Sequence, residues 1–453
     1  MRSTDLGVRQ SFARDASGLE LVPDSVARPA TEGEVIALLR AASADRVPVT
    51  PAGGQTSTTA ASITDRGILL SLRGLGDIGP VDHDCLTIRV QAGVLLGDLK
   101  RRLAAEGLLF APDPTSEDDV TVGGAIACNA SGARSLLYGA TRPHVVALRV
   151  ALADGTVHEL RRSRLEKNTV GYAAVHEPVD WFIGSEGTLG VILEAELTLL
   201  PLPPNVTGLA IPFPDESHAL EFIITARLST DVSPRCLEYF DGRALEVART
   251  AQGAAEWAQG AGALVYVEQA APEGSEIPLE PWLALGERSG AAENDIAVYE
   301  GASALRDARR LRHTVPATMI ERGNRYRAAG GRRVSTDWAV PYRHLKDAIG
   351  ESRRLATAAG VDQPVVYGHA GNGHPHENFI ARDAAELARI EQDVEQTHKY
   401  EIGVGGTVAA EHGTGKIKRK LLTLQLTPLQ LGVMAAMKQA LDPAALLAPG
   451  NLF

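Results

Sequence analysis

The sequence predicts an α+β protein of two domains, and three observations support this prediction. Within residues 20–203, short β-branched runs alternate with amphipathic helical segments. A cluster of three prolines within Pro201–Pro204 then interrupts the pattern. Beyond it, a strand–helix–strand–strand–helix order is typical of a ferredoxin-like α+β domain. We therefore predict a first domain at 20–203, a second at 204–435, and a C-terminal segment, 436–453, that returns to the first.

The first domain begins with a helix whose start is marked in the sequence. Thr31 is a suitable N-cap, and Glu34 stands three residues later, as in a capping box. The strand "VPVTP" follows, and the strands "ILLSL" and "LTIRVQAG" precede the helix "LLGDLKRRLAAEGL". Asp154-Gly155 joins two β-branched runs and predicts a hairpin. The run "GTLGVILEAELTLLPLPP" predicts another pair of strands.

The second domain starts with the strand "VTGLAIPF" and the helix "ESHALEFIITARLS". Strands around "PRCLEYF" and "GALVYVEQA" follow, with a long helix between them. The stretch "ARDAAELARIEQDVEQTHKY" places Leu387, Ile390 and Val394 at helical spacing and predicts an amphipathic helix. The tail "LDPAALLAPGNLF" is expected to pack as an extended strap.

Composition excludes several classes of function. The net charge of −11 argues against a nucleic-acid partner, because phosphate binding needs clustered Lys and Arg. Cys85, Cys128 and Cys236 form no CxxC pair, which excludes an iron–sulfur ligand set and a zinc ribbon. The N-terminus lacks an apolar core of signal-peptide length, and no window approaches 18 apolar residues. We therefore expect a cytoplasmic protein.

Three loops of the first domain are rich in glycine and small hydroxyl residues. They are "PAGGQTSTTAA" (51–61), the stretch 113–139 and "FIGSEGTLGVI" (182–192). Glycine lets the backbone approach a ligand closely, and exposed N–H groups bind pyrophosphate. Three such loops in one domain favour a long ligand lying along it, and three ordinary turns are the alternative.

A histidine-rich stretch, "YGHAGNGHPHENF" (367–379), contains three of the chain's 12 histidines within eight positions. Its glycines and proline exclude a helix. On a strand, His374 and His376 would share one face, so spacing alone favours that pair as ligands of Zn²⁺ or Mn²⁺. A solvated loop is the alternative.

A second stretch, "GGTVAAEHGTGK", places an acid and a base side by side in a glycine-rich loop. Glu411 and His412 are separated from the histidine-rich stretch by one predicted helix and could complete a site with it. An exposed turn is the alternative.

The glycine-rich loops resemble a known cofactor domain. "VPVTPAGGQTSTTAA", "TVGGAIACNASGARSLLYGATRPHVVALRVALADG" and "FIGSEGTLGVILEAELTLLP" are similar to the FAD-binding domain of the vanillyl-alcohol oxidase/p-cresol methylhydroxylase superfamily. The resemblance extends from about residue 20 to the end of the chain. It is strongest to the branch of D-lactate dehydrogenase, D-2-hydroxyglutarate dehydrogenase and glycolate oxidase. It implies a two-subdomain FAD-binding domain plus a ferredoxin-like α+β substrate (cap) domain.

The resemblance implies non-covalent FAD, because Thr56 stands where covalently flavinylated members carry a histidine. The first loop differs from its relatives at Ala52 and Gln55, where an Arg and a Gly are usual. The implied cofactor-binding residues are Gly53, Gly54, Gln55, Thr56, Ser57, Pro114, Thr115, Gly123, Gly124, Asn129, Ser131, Glu186, Gly187, Ile192 and Asn451.

The same resemblance assigns chemistry to the other two stretches. It implies a divalent metal, Zn or Mn, whose ligands are His369, His376 and Glu411. It implies His412 as the base, Asn378 as a polar substrate contact and Arg312 as the group that binds the substrate carboxylate. His374 stands where relatives often have Asn, so it is either a substituted ligand or a residue that lines the pocket.

These roles predict the oxidation of a D-2-hydroxy acid to the 2-oxo acid. The metal would hold the α-hydroxyl, His412 would take its proton, and the Cα hydride would pass to flavin N5. Enzymes of the hydroxyglutarate type carry Thr and Lys where this chain has Pro316 and Ser335. We therefore expect a D-lactate-like substrate rather than a dicarboxylate.

Alternative functions stay open at this point. One is a glycolate oxidase catalytic subunit within a complex that contains an iron–sulfur chain. Another is a flavin electron-transfer subunit without its own substrate, and an alditol- or phenol-type oxidase is a third. The electron acceptor would be a quinone, a cytochrome, an electron-transfer flavoprotein or an iron–sulfur subunit. The resemblance also leaves open a homodimer and peripheral attachment to a membrane.

Overall fold

The chain folds as an α+β protein, which confirms the predicted fold class. The computed structural model describes residues 2–163, 165–252, 260–271, 274–275, 277–292 and 295–452. Two compact units are present. The first contains residues 1–132, 139–202 and 411–453, and the second contains residues 133–138 and 203–410.

The first unit contains two main sheets. In the four-stranded sheet, of order β1-β2-β4-β3, strands β2, β4 and β3 are parallel. Its strands are β1 (Arg2–Ser3), β2 (Ser25–Ala27), β3 (Val49–Ala52) and β4 (Ile68–Ser71). The five-stranded sheet is antiparallel and has the order β5-β6-β10-β8-β9. Its strands are β5 (Ile78–Asp82), β6 (Thr87–Gln91), β8 (Val145–Ala151), β9 (Val157–Arg161) and β10 (Val191–Thr198).

The two helices that the sequence predicts for the first unit are present as α2 (Glu32–Ala44) and α3 (Leu96–Ala105). Thr31 caps α2 by accepting the Glu34 N–H, and the Glu34 carboxylate accepts the Ala30 N–H. The predicted hairpin across Asp154-Gly155 is confirmed by the pairing of β8 with β9. The helices are α1 (Leu6–Ser11), α2 (Glu32–Ala44), α3 (Leu96–Ala105), α4 (Val122–Cys128), α6 (Val179–Phe182), α13 (Arg419–Gln425) and α14 (Pro428–Leu441).

Two local predictions for the first unit need correction. The stretch 113–139 is not a plain loop, because it contains helix α4 and the short helix α5 (Ser135–Tyr138). Thr121 caps α4 by accepting the Gly124 N–H, so a helix forms despite two glycines in its first turn. The run after Gly187 is not a pair of adjacent strands either. The long strand β10 is followed by the two-residue strand β11 (Leu200–Pro201), which pairs with β7 (Leu108–Leu109).

The second unit contains a seven-stranded sheet of order β15-β12-β14-β13-β17-β18-β16, in which every described pairing is antiparallel. The strands are β12 (Asn205–Phe213), β13 (Pro234–Asp241), β14 (Ala263–Ala271), β15 (Ala297–Glu300), β16 (Gly330–Ser335), β17 (Val365–His369) and β18 (His374–Asp383). The helices are α5, α7 (Glu216–Leu228), α8 (Gly242–Gln252), α9 (Leu279–Arg288), α10 (Gly301–Asn324), α11 (Leu345–Ala359) and α12 (Ala384–Gly403). The predicted continuation of α8 over 253–259 lies outside the described residues.

Each unit has its own apolar core. In the second unit, the fully buried Trp282 contacts Phe222, and its indole N–H donates to the Gln269 side chain at 2.9 Å.

Helix α10 contains Pro316, which cannot donate a hydrogen bond to the Arg312 carbonyl four residues earlier. Within the described residues, every helix is too short or too polar to cross a membrane.

Candidate cofactor cavity and histidine cluster

The three glycine-rich stretches of the first unit come together around one cavity of about 620 Å³. A volume of this size is typical of pockets that bind cofactors and other small molecules. The predicted cofactor residues that line it are Gly53, Gly54, Gln55, Thr56, Ser57, Pro114, Thr115, Gly123, Gly124, Ser131, Glu186, Gly187 and Ile192. The arrangement therefore brings together segments that are more than 100 residues apart in the chain.

The remaining two predicted cofactor residues, Asn129 and Asn451, are absent from the cavity lining and support the loops instead. Asn129 ends helix α4 in the left-handed conformation, with φ of 50°, and its side-chain oxygen accepts the Arg142 N–H. Asn451 is buried and donates to the carbonyls of Ala61 and Glu186. The Asn451 contacts therefore connect the first of these loops to the third.

Close packing between the loops explains two of the glycines. A side chain at Gly54 would collide with the Asp119 carbonyl, and one at Gly123 would lie 2.6 Å from the Ala92 methyl group. These glycines are therefore required by the packing of one loop on another, whether or not a ligand is bound. Gln55 has a φ of 55° and donates through its amide to the carbonyls of Phe12 and Arg14.

Sequence reasoning missed several residues of the cavity wall. Thr121 and Cys128 line it, and Thr121 could have been found as the N-cap that precedes "VGGAIAC". Glu411 and His412 also line this cavity, within the same unit. The Ser131 hydroxyl lies 3.5 Å from one Glu411 carboxylate oxygen, and the His412 Nε2 lies 3.4 Å from the other.

The cavity fits the predicted FAD. Its wall is formed by small residues, backbone groups and hydroxyls, as a pyrophosphate site requires, and the cavity touches all three predicted loops. Lys416 adds a half-buried ammonium group beside the first loop, where it donates to the Ala60 carbonyl at 3.2 Å and to the Asn451 side chain at 2.7 Å. Burial lowers the pKa of Lys416 to about 8.

The histidine-rich stretch forms two strands of the second unit and the turn between them. β17 ends at His369, a single helical turn covers Ala370–Asn372, and β18 begins at His374. Side chains two residues apart on a strand share a face, so His374 and His376 lie on one face of β18, as predicted, and Asn378 lies on the same face. His369 pairs directly with His374 across the two strands.

The imidazole rings of this face contact one another. The ring centroids of His369 lie 5.5 Å from His374 and 5.6 Å from His376, and those of His374 and His376 are 4.7 Å apart. Asp337 was not singled out from the sequence, and its carboxylate lies 3.1 Å from His374 Nε2. Nitrogen or oxygen donor atoms of Asp337, His374 and His376 lie within 4.8 Å of one another, and all three residues are buried. Two imidazoles and one carboxylate form a donor set that suits Zn²⁺ or Mn²⁺.

His369 and Arg312 share a buried carboxylate. His369 Nδ1 lies 2.5 Å from one oxygen of Glu238, and Arg312 Nε donates to the other at 2.5 Å. The Arg312 guanidinium also lies 2.6 Å from His369 Nε2. Burial alone would raise the pKa of Glu238, but the charges and hydrogen bonds of His369 and Arg312 outweigh burial and lower it. The sequence did not identify Glu238, because it lies more than 70 residues from either partner.

Asn378 lies on the same face of β18 and is almost completely buried. Among the described residues, neither its amide nitrogen nor its amide oxygen has a hydrogen-bond partner. Leaving a buried amide unsatisfied is costly, so this side chain is suited to a polar ligand. Glu377, on the opposite face of the strand, accepts from the Trp338 indole at 3.1 Å, and burial raises its pKa to about 7.

A second group of arginines surrounds Glu268 in the same unit. Arg134, Arg235 and Arg309 donate to its carboxylate at 2.8–3.1 Å, and the Tyr266 hydroxyl donates at 3.0 Å. The sequence shows no signal for this group, because its members come from four distant segments.

Comparison with known families accounts for nearly the whole chain. A family model described as "FAD binding domain" matches residues 23–161, and one described as "FAD linked oxidases, C-terminal domain" matches residues 202–452. The second match covers more than half of the chain.

Three curated proteins are similar to this chain over most of its length. The "Glycolate oxidase subunit GlcD" of Bacillus subtilis is 30% identical, over 95% of this chain and 89% of the relative. The "D-lactate dehydrogenase" of Archaeoglobus fulgidus is 31% identical, over 94% and 90%. The "D-2-hydroxyglutarate dehydrogenase" of Xanthomonas citri pv. viticola is 32% identical, over 95% and 89%.

Among solved structures, an alkyldihydroxyacetonephosphate synthase has a similar fold, with a TM-score of 0.74 over 99% of this chain and 83% of the other. The sequence identity is 17%, so this similarity concerns the fold alone.

Proposed function

This chain belongs to the FAD-linked oxidase family, and from that premise we propose that it oxidises a D-2-hydroxy acid of the D-lactate type to the 2-oxo acid, with FAD bound non-covalently. The observation that carries the proposal is the position of His412 in the wall of the cavity that the predicted FAD residues line. A base beside the flavin is what the oxidation of a hydroxyl group requires. The relatives named D-lactate dehydrogenase and D-2-hydroxyglutarate dehydrogenase support the substrate class.

FAD, when bound, supplies the acceptor for the hydride on the substrate's second carbon. The residues of the 51–57 and 113–131 segments, which line the cavity, would position the cofactor. His412 takes the proton of the substrate hydroxyl, since imidazole is the side chain that most often serves as a general base. One hydride and one proton leave the substrate, and a carbonyl forms at the second carbon.

A divalent ion fits the donor set that Asp337 forms with two histidines of β18, and we propose Asp337, His374 and His376 as its ligands. Such an ion supplies positive charge that favours loss of the hydroxyl proton. His369 and Glu411 remain predicted ligands. The two ring nitrogens of His369 already contact Glu238 and Arg312. The predicted set and the proposed set therefore share His376 and differ at the other positions.

Arg312 is proposed to bind the substrate carboxylate. Its contacts with Glu238 and His369 hold the guanidinium in one orientation, and a fixed guanidinium binds a carboxylate with two parallel hydrogen bonds. Asn378, whose amide has no partner among the described residues, is proposed as a second polar contact to the substrate.

A panel of acids tests the proposed reaction. Under anaerobic conditions, D-lactate is expected to bleach the FAD absorbance and to yield one pyruvate per flavin. The panel also contains glycolate, D-2-hydroxyglutarate and L-lactate. Faster bleaching by glycolate would favour the glycolate oxidase alternative, and bleaching by L-lactate alone would contradict the proposal.

Metal content tests the proposed ligands. His374→Ala and His376→Ala are each expected to lose most of the bound Zn or Mn after dialysis, as measured by elemental analysis. His344→Ala, which removes an exposed histidine of the same unit, is the matched control. His369→Ala distinguishes the two ligand sets. If Asp337, His374 and His376 are the ligands, this variant should retain the ion. If His369 is a ligand, the variant should lose it.

The electron acceptor is proposed to be a separate molecule or chain, because the sequence has no cysteine pair for an iron–sulfur cluster. A quinone, a cytochrome, an electron-transfer flavoprotein or an iron–sulfur subunit would serve. Reoxidation of the reduced flavin by each acceptor, followed by absorbance, distinguishes them.

A further inference from the structure

The loop Glu411–Lys416, which carries His412, is held by the wall of the cofactor cavity. We propose that Glu186 is a positioning residue that fixes His412 in this wall through the backbone of that loop. The inference rests on the proposed role of His412 as the base. In this inference Glu186 holds the loop in place, in addition to its predicted contact with the cofactor.

The carboxylate of Glu186 binds two consecutive backbone groups of the loop. The Thr414 N–H donates to one oxygen at 2.6 Å, and the Gly415 N–H donates to the other at 2.7 Å. Hydrogen bonds to an ionised carboxylate are roughly twice as strong as neutral ones. Glutamine would offer one acceptor oxygen and would direct its own N–H groups at the second donor, so a carboxylate is the side chain that this geometry requires.

Two side chains also contact the His412 carbonyl oxygen. The Thr59 hydroxyl lies 3.3 Å and the Cys128 thiol 3.7 Å from this oxygen. Gly413 follows in the left-handed region, with φ of +73°, and a side chain there would lie 2.6 Å from a Glu186 carboxylate oxygen. The backbone that follows the His412 Cα is therefore fixed by Thr59, Cys128 and Glu186.

Glu186 is itself held in one conformation. Its φ of 52° is uncommon for a residue with a side chain, and the residue is 8% exposed. Its N–H donates to the Ala127 carbonyl at 2.9 Å, and its own carbonyl accepts from the Asn451 amide at 3.2 Å. Burial raises the pKa of Glu186, while the two N–H bonds from the loop act in the opposite direction. A buried carboxylate with this set of contacts serves as a rigid anchor rather than as a mobile group.

The placement of the base thus depends on the residues that form the cofactor cavity. Both oxygens of Glu186 contact the loop, so the carboxylate acts on the substrate only through His412. Loss of the Glu186 carboxylate is expected to displace the His412 imidazole and to leave the rest of the cavity wall unchanged. The variant should therefore bind FAD and substrate but reduce the flavin slowly.

A double-variant cycle on the FAD-loaded protein tests this dependence. Removal of a general base slows a reaction by about 10²–10⁴-fold, and we expect His412→Ala to lie in this range for flavin reduction by D-lactate. Glu186→Gln is expected to lower the limiting rate at saturating FAD by about 30-fold or more, with the half-saturating substrate concentration changed by less than about threefold. The double variant is expected to be no slower than His412→Ala alone, because Glu186 acts through the base.

Hydrogen exchange of the FAD-free protein supplies a readout that does not depend on activity. Loss of a charged hydrogen bond corresponds to about a 10- to 100-fold change in local opening, so peptides that cover 411–418 should exchange faster by about that factor in Glu186→Gln. Glu194→Gln is the matched control, because Glu194 is on β10, outside the cavity lining, and is paired with Arg89 at 3.1 Å. This control should change neither exchange nor rate.

The outcomes separate the inference from the proposed function. If His412→Ala reduces flavin at the wild-type rate, the proposed base is wrong. If His412→Ala is slow but Glu186→Gln is as fast as wild type, or if the two losses multiply in the double variant, the positioning role of Glu186 is wrong and the base stands. Unchanged exchange over 411–418 would also overturn the positioning role.

Discussion

Asp393 is a buried carboxyl group whose ionisation opposes folding. It is 5% exposed on α12, and among the described residues one of its carboxylate oxygens has no hydrogen-bond partner. Burial raises its pKa from the ordinary value to about 6. The folded state therefore holds the proton more tightly than the unfolded state. This contribution to stability is present at low pH and is lost as the pH rises from about 4 to about 6.

Replacement of Asp393 by asparagine tests this effect. Asp393→Asn is expected to raise the melting temperature at pH 8, where the wild-type group is ionised, and to leave it nearly unchanged at pH 4. Thermal denaturation at the two pH values is the measurement. Asp362→Asn, at an exposed carboxyl group, is the control. An equal effect of Asp393→Asn at both pH values would contradict the assignment.

Residues of the site differ in how far the sequence predicts them. The histidines of β18 lie close together in sequence, and the two-residue period of a strand is enough to place His374 and His376 on one face. Glu238 and Asp337 complete their environment from distant segments and carry no local pattern. The local sequence does not show which distant segments come together, so these two acidic residues can be identified only from the folded structure.

At the level of elements, helix ends are predicted well where a side chain caps them. Thr31 marks the start of α2 in the sequence and in the structure. Helix α4 was missed because glycine is unfavourable in a helix, and the contribution of the Thr121 cap was underestimated. The short strand β11 was misassigned because its partner β7 comes from a distant segment.

Replacement of glycine by alanine is expected to have opposite effects on stability at two positions. Gly432 lies inside helix α14 with no heavy atom within 4 Å of an added methyl group, so Gly432→Ala should stabilise the protein by about 0.5–1 kcal/mol. Gly413→Ala should destabilise it, by about 1–2 kcal/mol from the left-handed backbone alone. Urea denaturation measures both. A loss of stability in Gly432→Ala would contradict this prediction, because it would mean that other atoms contact this face of α14.

For the whole molecule, the cavity of the first unit predicts which flavin stabilises the fold. Because the cavity touches three loops, FAD should contact more of it than FMN does. A ligand at 100 times its dissociation constant stabilises a protein by about 2.7 kcal/mol. At equal concentrations, FAD is therefore expected to raise the melting temperature of the FAD-free protein more than FMN does, with NAD as the control dinucleotide. Equal shifts for FAD and FMN would mean that the adenylate half makes no contact.

The most direct test of the account is anaerobic bleaching of the bound flavin by the two enantiomers of lactate, before and after treatment with a chelator. The account predicts rapid bleaching by D-lactate and none by L-lactate. It also predicts loss of the D-lactate reaction after chelation and its recovery when Zn²⁺ or Mn²⁺ is returned, as a metal that promotes loss of the hydroxyl proton requires. Bleaching by L-lactate only, or full bleaching by D-lactate in the chelated protein, would contradict it.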